Sequence, residues 1–483
     1  MPQFSNAVIW FRRDLRATHH PALNAAVQHA AAAGGAVLPI FVIDQRLVDP
    51  SGVNRIAVLR AAVEALQRSG IPVHVVNGDP VELVPQLARQ HNAKVFATED
   101  FGPYGSSRDR AVDTALEQQG QKIHFVDTPY LVPPGTVLKG DGTPFKVFTP
   151  FKRVWLNHAL PQRPVDTPSP HQVDWVQTRP KKKGGNMSDP GLAALAAVAA
   201  PSIPEITETA AWKTIDSFFE HRIDHYTEQR NLPGLDATSR ISVYLKYGLV
   251  HPRQLLARID EAINRGSDGA VTFLSELCWR EFYADVLFHH PRSARQNYVA
   301  NLDIEVDSGP NADQRFAAWC EGRTGFPFID AGMRQLRHEG WMHNRVRMAV
   351  ASFLVKDLHL PWQRGARWFM QNLIDGDIAS NQHGWQWTAG TGTDAAPYFR
   401  IFNPITQGKK FDRDGDYIRR WIPELASLPA SIIHEPWLVP KQAEQLFDPL
   451  HADSARDGYP TPIVNHAAER DESMRRFREV RGR

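Results

Sequence analysis

The chain has 483 residues, of which 42% are hydrophobic and 22% charged, and its formal net charge is +2. This composition is typical of a folded globular protein, and the length exceeds one ordinary core, so we expect two or three domains. Two cysteines argue against a disulfide framework, and no run of about 18 apolar residues indicates a membrane span, so we expect a cytoplasmic protein with no membrane partner.

Short β-branched runs alternate with amphipathic stretches over residues 7–127. The runs are AVIWF, AVLPIFVI, PVHVV, KVFATED and KIHFVD, and the helix-like stretches include residues 54–69 and 80–91. This alternation predicts βαβ units, so we expect residues 1–130 to form an α/β domain around a doubly wound parallel sheet. No GxGxxG fingerprint follows the first run, so the usual argument for dinucleotide binding does not apply to this domain.

The sequence changes character twice after the α/β region. Residues 129–204 hold 13 of the 36 prolines, which predicts an irregular interdomain linker over residues 131–204. From residue 205 the apolar residues follow a helical period, so we expect a mainly helical domain over residues 205–475. Ten of the 13 tryptophans lie in this last part, more than core packing alone would explain.

Two of these tryptophans, Trp385 and Trp387, stand in a segment rich in glycine and other small residues, GWQWTAGTGT. Core filling is one role for each ring, but small neighbours would also let a backbone or a flat ligand approach closely. We expect this segment to form the wall of a site.

Upstream, LIDGDIASN places Asp375 and Asp377 on either side of Gly376, with Asn381 one helical turn later. The pattern fits a helix N-cap, a set of acceptors for a polar heterocycle and its ribityl hydroxyls, or a metal-binding turn. The metal is the weakest of the three, because too few further carboxylates or histidines stand at ligand spacing.

The segment GWMHNRVRM places two arginines in an otherwise apolar helix. Arg345 and Arg347 each need an anion, which a structural carboxylate, a flavin pyrophosphate or a DNA phosphate could supply. Asn344 and Met348 share one helix face at i, i+4, and His343 is expected to be a buried core histidine.

Two further segments have both a structural and a functional interpretation. In ELCWREFY, Glu276 either pairs with Arg280 on the surface or is a buried carboxylate beside Trp279 that accepts hydrogen bonds from a pyrimidine edge. In DATSRIS, residues 236–242, the hydroxyl groups either cap a helix or bind a phosphate.

Ten collinear segments resemble the photolyase and cryptochrome family, and most of all the bacterial class I photolyases that act on cyclobutane pyrimidine dimers. The segments are IWFRRDLR, PYGSSRD, PFKVFTPFKRVW, TSRIS, ELCWREFY, TGFPFIDAGMRQL, GWMHNRVRM, ASFLVKDL, LIDGDIASN and WQWTAGTGTDAAPYFRIFNP. Together they span almost the whole chain. The resemblance implies an α/β antenna domain, a linker and a helical domain that binds one FAD, which agrees with the pattern of elements.

The same resemblance implies a light-driven repair enzyme that binds UV-damaged DNA as a monomer. In this family, excited and fully reduced FAD passes an electron to a pyrimidine dimer that has been flipped out of the duplex. The implied flavin contacts are Tyr226, Thr238, Ser239, Arg240, Ile241, Ser242, Phe273, Glu276, Arg280, Trp341, Asn344, Arg347, Asp375, Gly376, Asp377 and Asn381. Asn381 would face the flavin N5, and Phe273 would keep an aromatic ring beside the adenine.

Further residues are implied to act at the lesion and on the DNA around it. At the lesion they are Glu276, Trp279, Asn344, Arg345, Met348, Asn381 and Trp387. On the DNA they are Glu276, Trp279, Arg280, Asn344, Arg345, Arg400, Lys409 and Lys410.

Three positions separate the alternatives within the family. Asn344 and Met348 stand where (6-4) photolyases carry histidines, which favours cyclobutane dimers as the substrate. Asn381 stands where plant cryptochromes carry Asp and insect cryptochromes Cys, which favours repair over signalling. A nucleotide-binding α/β protein with a helical interaction domain is the remaining alternative.

One departure from the family concerns the supply of electrons to the flavin. The resemblance implies a relay through Trp385 and then Trp362. The third tryptophan of that relay falls near Gly309, so no tryptophan stands there. We expect Trp319 or Tyr298 to serve as a different terminal donor.

A second departure concerns the antenna pigment, which the resemblance implies to be a deazaflavin or a methenyl-folate. Folate-binding relatives offer a carboxylate where this chain has Gly105, within PYGSSRD. The same segment also resembles relatives that use a deazaflavin. The sequence therefore implies a second chromophore and leaves its identity open.

Overall fold

A computed structural model describes residues 4–177, 191–195, 203–394, 397–398, 400–438 and 458–481. The chain forms two compact units, one of residues 1–224 with 239–291 and one of residues 225–238 with 292–483. Parts of the predicted linker, 178–190 and 196–202, lie outside the described residues. None of the described helices is both long and apolar enough to cross a membrane.

Five strands and nineteen α-helices are found in the described residues. The strands are β1 Asn6–Phe11, β2 Val37–Ile43, β3 His74–Asn77, β4 Ala93–Ala97 and β5 Ile123–Phe125. The helices are α1 Pro21–Ala33, α2 Gln45–Val48, α3 Val53–Arg68, α4 Pro80–Gln90, α5 Pro103–Glu117, α6 Phe148–Ala159, α7 Glu208–His221, α8 Tyr226–Gln229, α9 Ser242–Tyr247, α10 Leu256–Asn264, α11 Asp268–His289, α12 Pro310–Glu321, α13 Pro327–Glu339, α14 Asn344–Ser352, α15 Trp362–Asn372, α16 Ile378–Ala389, α17 Pro404–Phe411, α18 Asp416–Trp421 and α19 His466–Arg481.

The five strands form one parallel sheet in the order β3-β2-β1-β4-β5. All residues of β2 and nearly all of β1 are buried, which explains their continuous apolar sequences. The predicted α/β fold and its five predicted strands are confirmed. The strand order reverses between β1 and β4, and in such folds the carboxyl ends of the strands at that point form a crevice for ligands.

The stretch predicted to be an irregular linker contains a regular helix, so that prediction is wrong for α6. The proline of its first turn, Pro150, breaks no intrahelical hydrogen bond, and Phe151 and Trp155 are buried. The Trp155 indole donates to Glu281 of α11 at 2.7 Å. Because Glu281 also accepts from the backbone N–H groups of residues 131 and 132, one buried carboxylate fixes both the start of the linker and α6.

The second unit is helical, as predicted. A cluster of buried side chains, contributed mainly by α12–α16 and α18, forms a core of this unit. Trp319 and Phe353 are among its largest fully buried members. Gly365 of α15 is in direct contact with the ring of Trp385, because a Cβ at that position would lie 2.1 Å from Cη2 of the indole. The glycine therefore allows α15 and α16 to approach closely around Trp385.

Helix α19 is attached to the core through buried polar groups. Its contacts are His466 Nδ1 with Asp357, Glu469 with His359 at 2.7 Å, and the Phe477 ring stacked on Tyr398 with centroids 4.3 Å apart. Asp357 ends a single π-helical turn, Phe353–Asp357, and is fully buried. Burial raises the pKa of Asp357 to about 6, although the hydrogen bond with His466 opposes the shift.

We expect stability to depend on pH through Asp357. In the folded protein Asp357 keeps its proton at pH values where the unfolded chain has lost it. The contribution of Asp357 to the free energy of unfolding is therefore fully present at low pH and is lost as the pH rises through about 6. Asp357→Asn cannot ionise and should gain about 1 kcal/mol relative to the native chain between about pH 5 and about pH 7.5. Urea unfolding at both pH values measures this, with exposed Asp471→Asn as control. A difference that does not change with pH would contradict it.

Candidate functional site

Helix α11 carries four of the predicted site residues, Phe273, Glu276, Trp279 and Arg280, within two turns. The spacing i, i+3, i+7 places Phe273, Glu276 and Arg280 on one face. Glu276 and Arg280 are half-buried. Arg280 donates to the backbone carbonyl of Pro129 at 3.2 Å, so the guanidinium is held by the chain that follows the sheet.

One face of the Trp279 indole is already covered. Phe148 of α6 stacks on it with ring centroids 3.7 Å apart and an interplanar angle of 5°. Phe282 and Tyr283 pack against the same indole at 5.7 and 5.4 Å. Since the side chain is only half-buried, the face opposite Phe148 is the one that could stack on a base.

Phe273 belongs to an aromatic cluster and is almost fully buried. Its ring centroid lies 5.2 Å from that of Phe218 and 5.7 Å from that of Phe219, both on α7. The position therefore has a packing role of its own. Tyr226, at the start of α8 in the other unit, is also buried, with the Arg230 guanidinium 5.5 Å above its ring.

Residues 238–242 form the turn that leads into α9. Arg240 has a positive φ of 50°, which is uncommon for a residue with a side chain, and Ile241 directly precedes the helix. No side chain caps α9, so the interpretation of these hydroxyls as its cap is wrong. Thr238, Ser239 and Ser242 are half-buried and bring their hydroxyl groups to one short turn.

In the second unit, Arg347 and Asp375 form an ion pair between α14 and the turn before α16. The Nη2 of Arg347 lies 2.9 Å from Oδ2 and 3.2 Å from Oδ1 of Asp375, whose side chain is 4% exposed. The Nε donates to the carbonyl of Met342 at 2.8 Å. A structural carboxylate is therefore an anion partner of Arg347, one of the alternatives that the sequence left open.

Asp377 caps helix α16. Its carboxylate accepts from the backbone N–H groups of Ala379 and Ser380 at 3.1 and 3.2 Å, so the N-cap interpretation is confirmed for this residue. Gly376 is buried between the two aspartates. No group of three or more possible metal ligands occurs in the part of the chain that the structure describes.

Asn381 is buried in α16, and its amide has a fixed orientation. Gln382 donates to the carbonyl of Ala294 at 2.6 Å, so its Oε1 faces the other way and accepts from Asn381 Nδ2 at 2.7 Å. The same Nδ2 donates to the carbonyl of Ala366 at 3.0 Å. Because both protons of Nδ2 are used, Oδ1 must point away from these partners. Within the described residues Oδ1 accepts no hydrogen bond, so an acceptor is available to a ligand.

Helix α14 presents the lesion-pocket residues predicted from GWMHNRVRM. His343 is buried and its Nδ1 accepts from the N–H of Arg345, so the prediction of a buried core histidine is confirmed. Asn344 begins the helix and is exposed, and Met348 is half-buried one turn later. Trp341, just before the helix, is half-buried, and its ring lies perpendicular to that of His343 with centroids 6.3 Å apart.

The predicted relay tryptophans lie in the helical core. Trp385 is 2% exposed, and its ring centroid lies 6.1 Å from that of Trp319 and 5.0 Å from that of Phe369. Trp362, at the start of α15, donates its indole N–H to Asn297 at 2.8 Å. Trp387 is half-buried and has no ring contact with another described residue.

The predicted DNA contacts differ in how their charges are compensated. Lys409 forms an ion pair with Glu435. Lys410 lies 5.3 Å above the Phe411 ring, and Arg400 is exposed. Arg345 is bound to a neutral amide, that of Asn231. Lys409 is thus the one of these cations that already has a carboxylate partner in the described structure.

A cluster of aromatic and guanidinium groups occupies the carboxyl ends of β1, β2 and β4 in the first unit. Arg12 and Arg108 lie 4.5 and 5.0 Å above the Trp10 ring. Gly105 packs against Asp100, whose carboxylate would be 2.2 Å from any Cβ at position 105. The space of a side chain at 105 is therefore filled by a carboxylate from elsewhere in the chain.

Three residues that the sequence does not predict orient predicted site residues. Phe148 covers Trp279, Gln382 orients Asn381, and Asn231 holds Arg345. Phe148 lies in PFKVFTPFKRVW and Gln382 in SNQHG, so proximity to a motif was a weak signal for both. Asn231 is 114 residues from its partner, and nothing in the sequence signals the pair.

Comparison with known proteins supports this assembly. The family described as DNA photolyase matches residues 7–171, and the FAD binding domain of DNA photolyase matches residues 273–479. Deoxyribodipyrimidine photo-lyases of Vibrio cholerae and Escherichia coli are 37% and 36% identical to the chain, covering 98% of it and 100% and 98% of their own lengths. The chain belongs to the DNA photolyase family. The resemblance predicted from the ten motifs is confirmed.

Solved structures agree with this assignment. A class III photolyase from Agrobacterium tumefaciens superposes with a TM-score of 0.87 at 33% identity, over 99% of this chain and 98% of that one. A cryptochrome from Synechocystis gives 0.82 at 28% identity, over 97% and 98%. The two-part architecture predicted for the photolyase, an α/β domain followed by a helical one, is therefore shared with both.

The FAD-binding domain match identifies FAD as a cofactor, and the residues present fit that group. Asn381 offers an unused acceptor, which suits the N5–H that only a reduced or protonated flavin carries. The Arg347–Asp375 pair brings a cation and a carboxylate next to the α16 N-terminus, and these suit the polar edge of a heterocycle.

We expect the two arginines of α14 to respond differently to the same substitution. Arg347→Met removes the guanidinium that pairs with the buried Asp375 carboxylate, at a cost of about 3–5 kcal/mol, and should release FAD from the photolyase. Arg345→Met, the matched control, removes no carboxylate contact and should keep FAD bound. Flavin absorbance per protein after gel filtration measures both, and equal loss in the two variants would contradict the assignment.

Proposed function

We propose that this photolyase is a deoxyribodipyrimidine photo-lyase, a light-dependent enzyme that splits cyclobutane pyrimidine dimers in UV-damaged DNA. The observation that carries the proposal is its similarity, over 98% of the chain, to relatives of that name. A cytoplasmic monomer is proposed with it, and its two buried, unpaired cysteines suit a reducing compartment.

When bound, reduced FAD supplies the electron on excitation by blue light. The residues proposed to hold it are those implied by the family resemblance, from Tyr226 and the 238–242 turn to α11, α14 and α16. Arg347 and Asp375 fix the start of α16 against α14. Asn381 offers only an acceptor, so it favours a ligand edge that carries a proton. The turn of residues 238–242 brings three hydroxyl side chains to the start of α9, and hydroxyl groups beside backbone N–H groups suit a phosphate, which supports pyrophosphate binding there.

The lesion must leave the duplex to be bound, which costs a few kcal/mol and is cheapest where pairing is already damaged. We propose that Trp279, through the face opposite Phe148, and Trp387 stack on the flipped bases, with about 1–3 kcal/mol per base. Glu276 is proposed to accept hydrogen bonds from a pyrimidine edge. Asn344 and Met348 contact the dimer without a group that titrates near neutral pH, which suits ring opening by electron transfer better than the acid chemistry of (6-4) lesions.

A second chromophore, a deazaflavin or a methenyl-folate, is proposed for the α/β unit. The carboxyl ends of β1 and β4 provide the usual ligand crevice of such a sheet, because the strand order reverses between these two strands. Asp100 supplies a carboxylate beside Gly105, so the absence of an acidic side chain at 105 does not argue against folate.

The test of the proposed function follows dimer loss with the purified, reduced protein. Thymine dimers in irradiated DNA should disappear under blue light and persist in darkness, because the electron is available only on excitation. Chromatography of hydrolysed DNA measures the dimers. Loss in the dark would overturn the proposal, and no loss in either condition with reduced FAD bound would point to a cryptochrome-like function.

Glu276→Ala provides the residue-level check. Removing a charged acceptor should lower kcat/KM for repair by about 10-fold to 100-fold, while the protein stays yellow. Glu261→Ala, an exposed glutamate on α10, is the control and should repair normally. Loss of flavin from Glu276→Ala would mean that its main role is cofactor binding.

Because the third tryptophan of the relay is missing, Trp319 is proposed as an alternative electron donor that passes an electron to Trp385 directly. The 6.1 Å contact between the two rings supports this, whereas Tyr298 is partly buried near Thr393. The double variant Trp319→Phe, Tyr298→Phe should photoreduce FAD more slowly, yet repair normally once chemically reduced. Bleaching of oxidised flavin under light with a thiol measures the rate. Normal photoreduction in the double variant would exclude both donors, and Trp368→Phe is the control.

A further inference from the structure

The guanidinium of Arg345 is held in one orientation by two neutral groups. Its Nε and Nη2 donate to the same oxygen, Oδ1 of Asn231, at 3.2 and 2.7 Å. Its Cζ lies 4.3 Å above the ring of Phe411. Because a guanidinium has only donors, the amide oxygen of Asn231 must face it. The Nε edge is thereby occupied, and the outer edge of the guanidinium remains available.

No carboxylate compensates this charge in the described part of the chain. Other half-buried arginines of the same unit have one, such as Arg347 with Asp375 at 2.9 Å and Arg334 with Glu424 at 2.7 Å. Arg345 has none within ion-pair distance. Burial, together with the nearby charges of Arg230 and Arg400, lowers the pKa of Arg345.

An oriented cation surrounded by further cations favours an anion with paired oxygens. Phosphate matches the fork of a guanidinium and is bound through two parallel hydrogen bonds. The neighbouring Arg400 and Lys410 are exposed, so the group that this cluster binds lies at the surface. A backbone phosphate of DNA fits an open site of this kind better than a flavin pyrophosphate, which is enclosed by its protein.

We propose that Asn231 is a positioning residue whose neutral amide keeps Arg345 oriented and electrically uncompensated for one DNA phosphate. The neutral charge is the essential property. A carboxylate of the same shape at position 231 would form an ion pair with the guanidinium and compete with the phosphate. This inference rests on the proposed function, since it assigns one contact of the DNA that the photolyase binds.

The test compares two substitutions that add the same charge. Asn231→Asp should weaken binding of dimer-containing DNA at low salt and reduce the slope of log K against log salt by about one unit, because one phosphate contact is lost. Asn465→Asp, the control, changes an exposed N-cap of α19 to another good cap and should leave the slope unchanged. Fluorescence anisotropy over a salt series measures both.

Asn231→Ala separates orientation from charge. It removes the acceptor and leaves the cation, so affinity should fall a few-fold with the slope unchanged, and repair should show a raised KM with an unaltered kcat. An unchanged slope in Asn231→Asp would overturn the proposal, as would a slope that falls equally in Asn231→Ala. Loss of FAD absorbance in Asn231→Asp without a slope change would assign the phosphate to the cofactor instead. If the native protein binds and repairs dimers, these outcomes bear on Asn231 alone; if it does not, the proposed function fails first.

Discussion

The Arg347 guanidinium lies 2.9 Å from the buried carboxylate of Asp375, and the two side chains form an ion pair. The pair is energetically costly to break, since loss of Arg347 would remove a cationic partner from a carboxylate whose side chain is only 4% exposed. It joins α14 to the turn that begins α16, the two helices that carry most of the predicted residues of the helical unit. Asn344 and Met348 on one helix, and Asn381, Trp385 and Trp387 on the other, keep their relative positions through this contact.

The second arginine of the same helix shows the opposite arrangement. Two residues before Arg347, the guanidinium of Arg345 is oriented by the amide of Asn231 and the ring of Phe411. Neither group carries a charge that would neutralise it. One helix therefore contains an arginine that forms an ion pair with a carboxylate and an arginine for which we propose an external anion. Since both side chains are arginines, this difference follows from the groups that each guanidinium contacts.

Local patterns allowed much of this to be predicted from the sequence. The strands were recognisable from their β-branched runs, and the N-cap at Asp377 from its position before an apolar helix. Helix α6 is not predicted, because a high proline content indicates irregular structure, whereas Pro150 stands in the first turn, where proline is tolerated. The capping role given to the 238–242 hydroxyls failed because α9 begins without a side-chain cap. Contacts such as Asn231 with Arg345, 114 residues apart, depend on tertiary packing that no local pattern encodes.

The amide series from Ala294 through Gln382 to Asn381 has one permitted direction. The series begins at the backbone carbonyl of Ala294, which can only accept a hydrogen bond, so Gln382 must donate to it through its amide NH2 group. A half-turn of the side-chain amide of Gln382 or Asn381 would leave a buried hydrogen-bonding group without its partner. The backbone carbonyl of Ala294, 88 residues from Gln382 in the chain, therefore determines that Asn381 presents Oδ1 to a ligand. A substitution of the side chain at position 294 does not remove this carbonyl. Substitutions at position 294 that preserve the fold would therefore leave the orientation of the Asn381 amide unchanged. Its preference for a ligand edge that carries a proton would be retained.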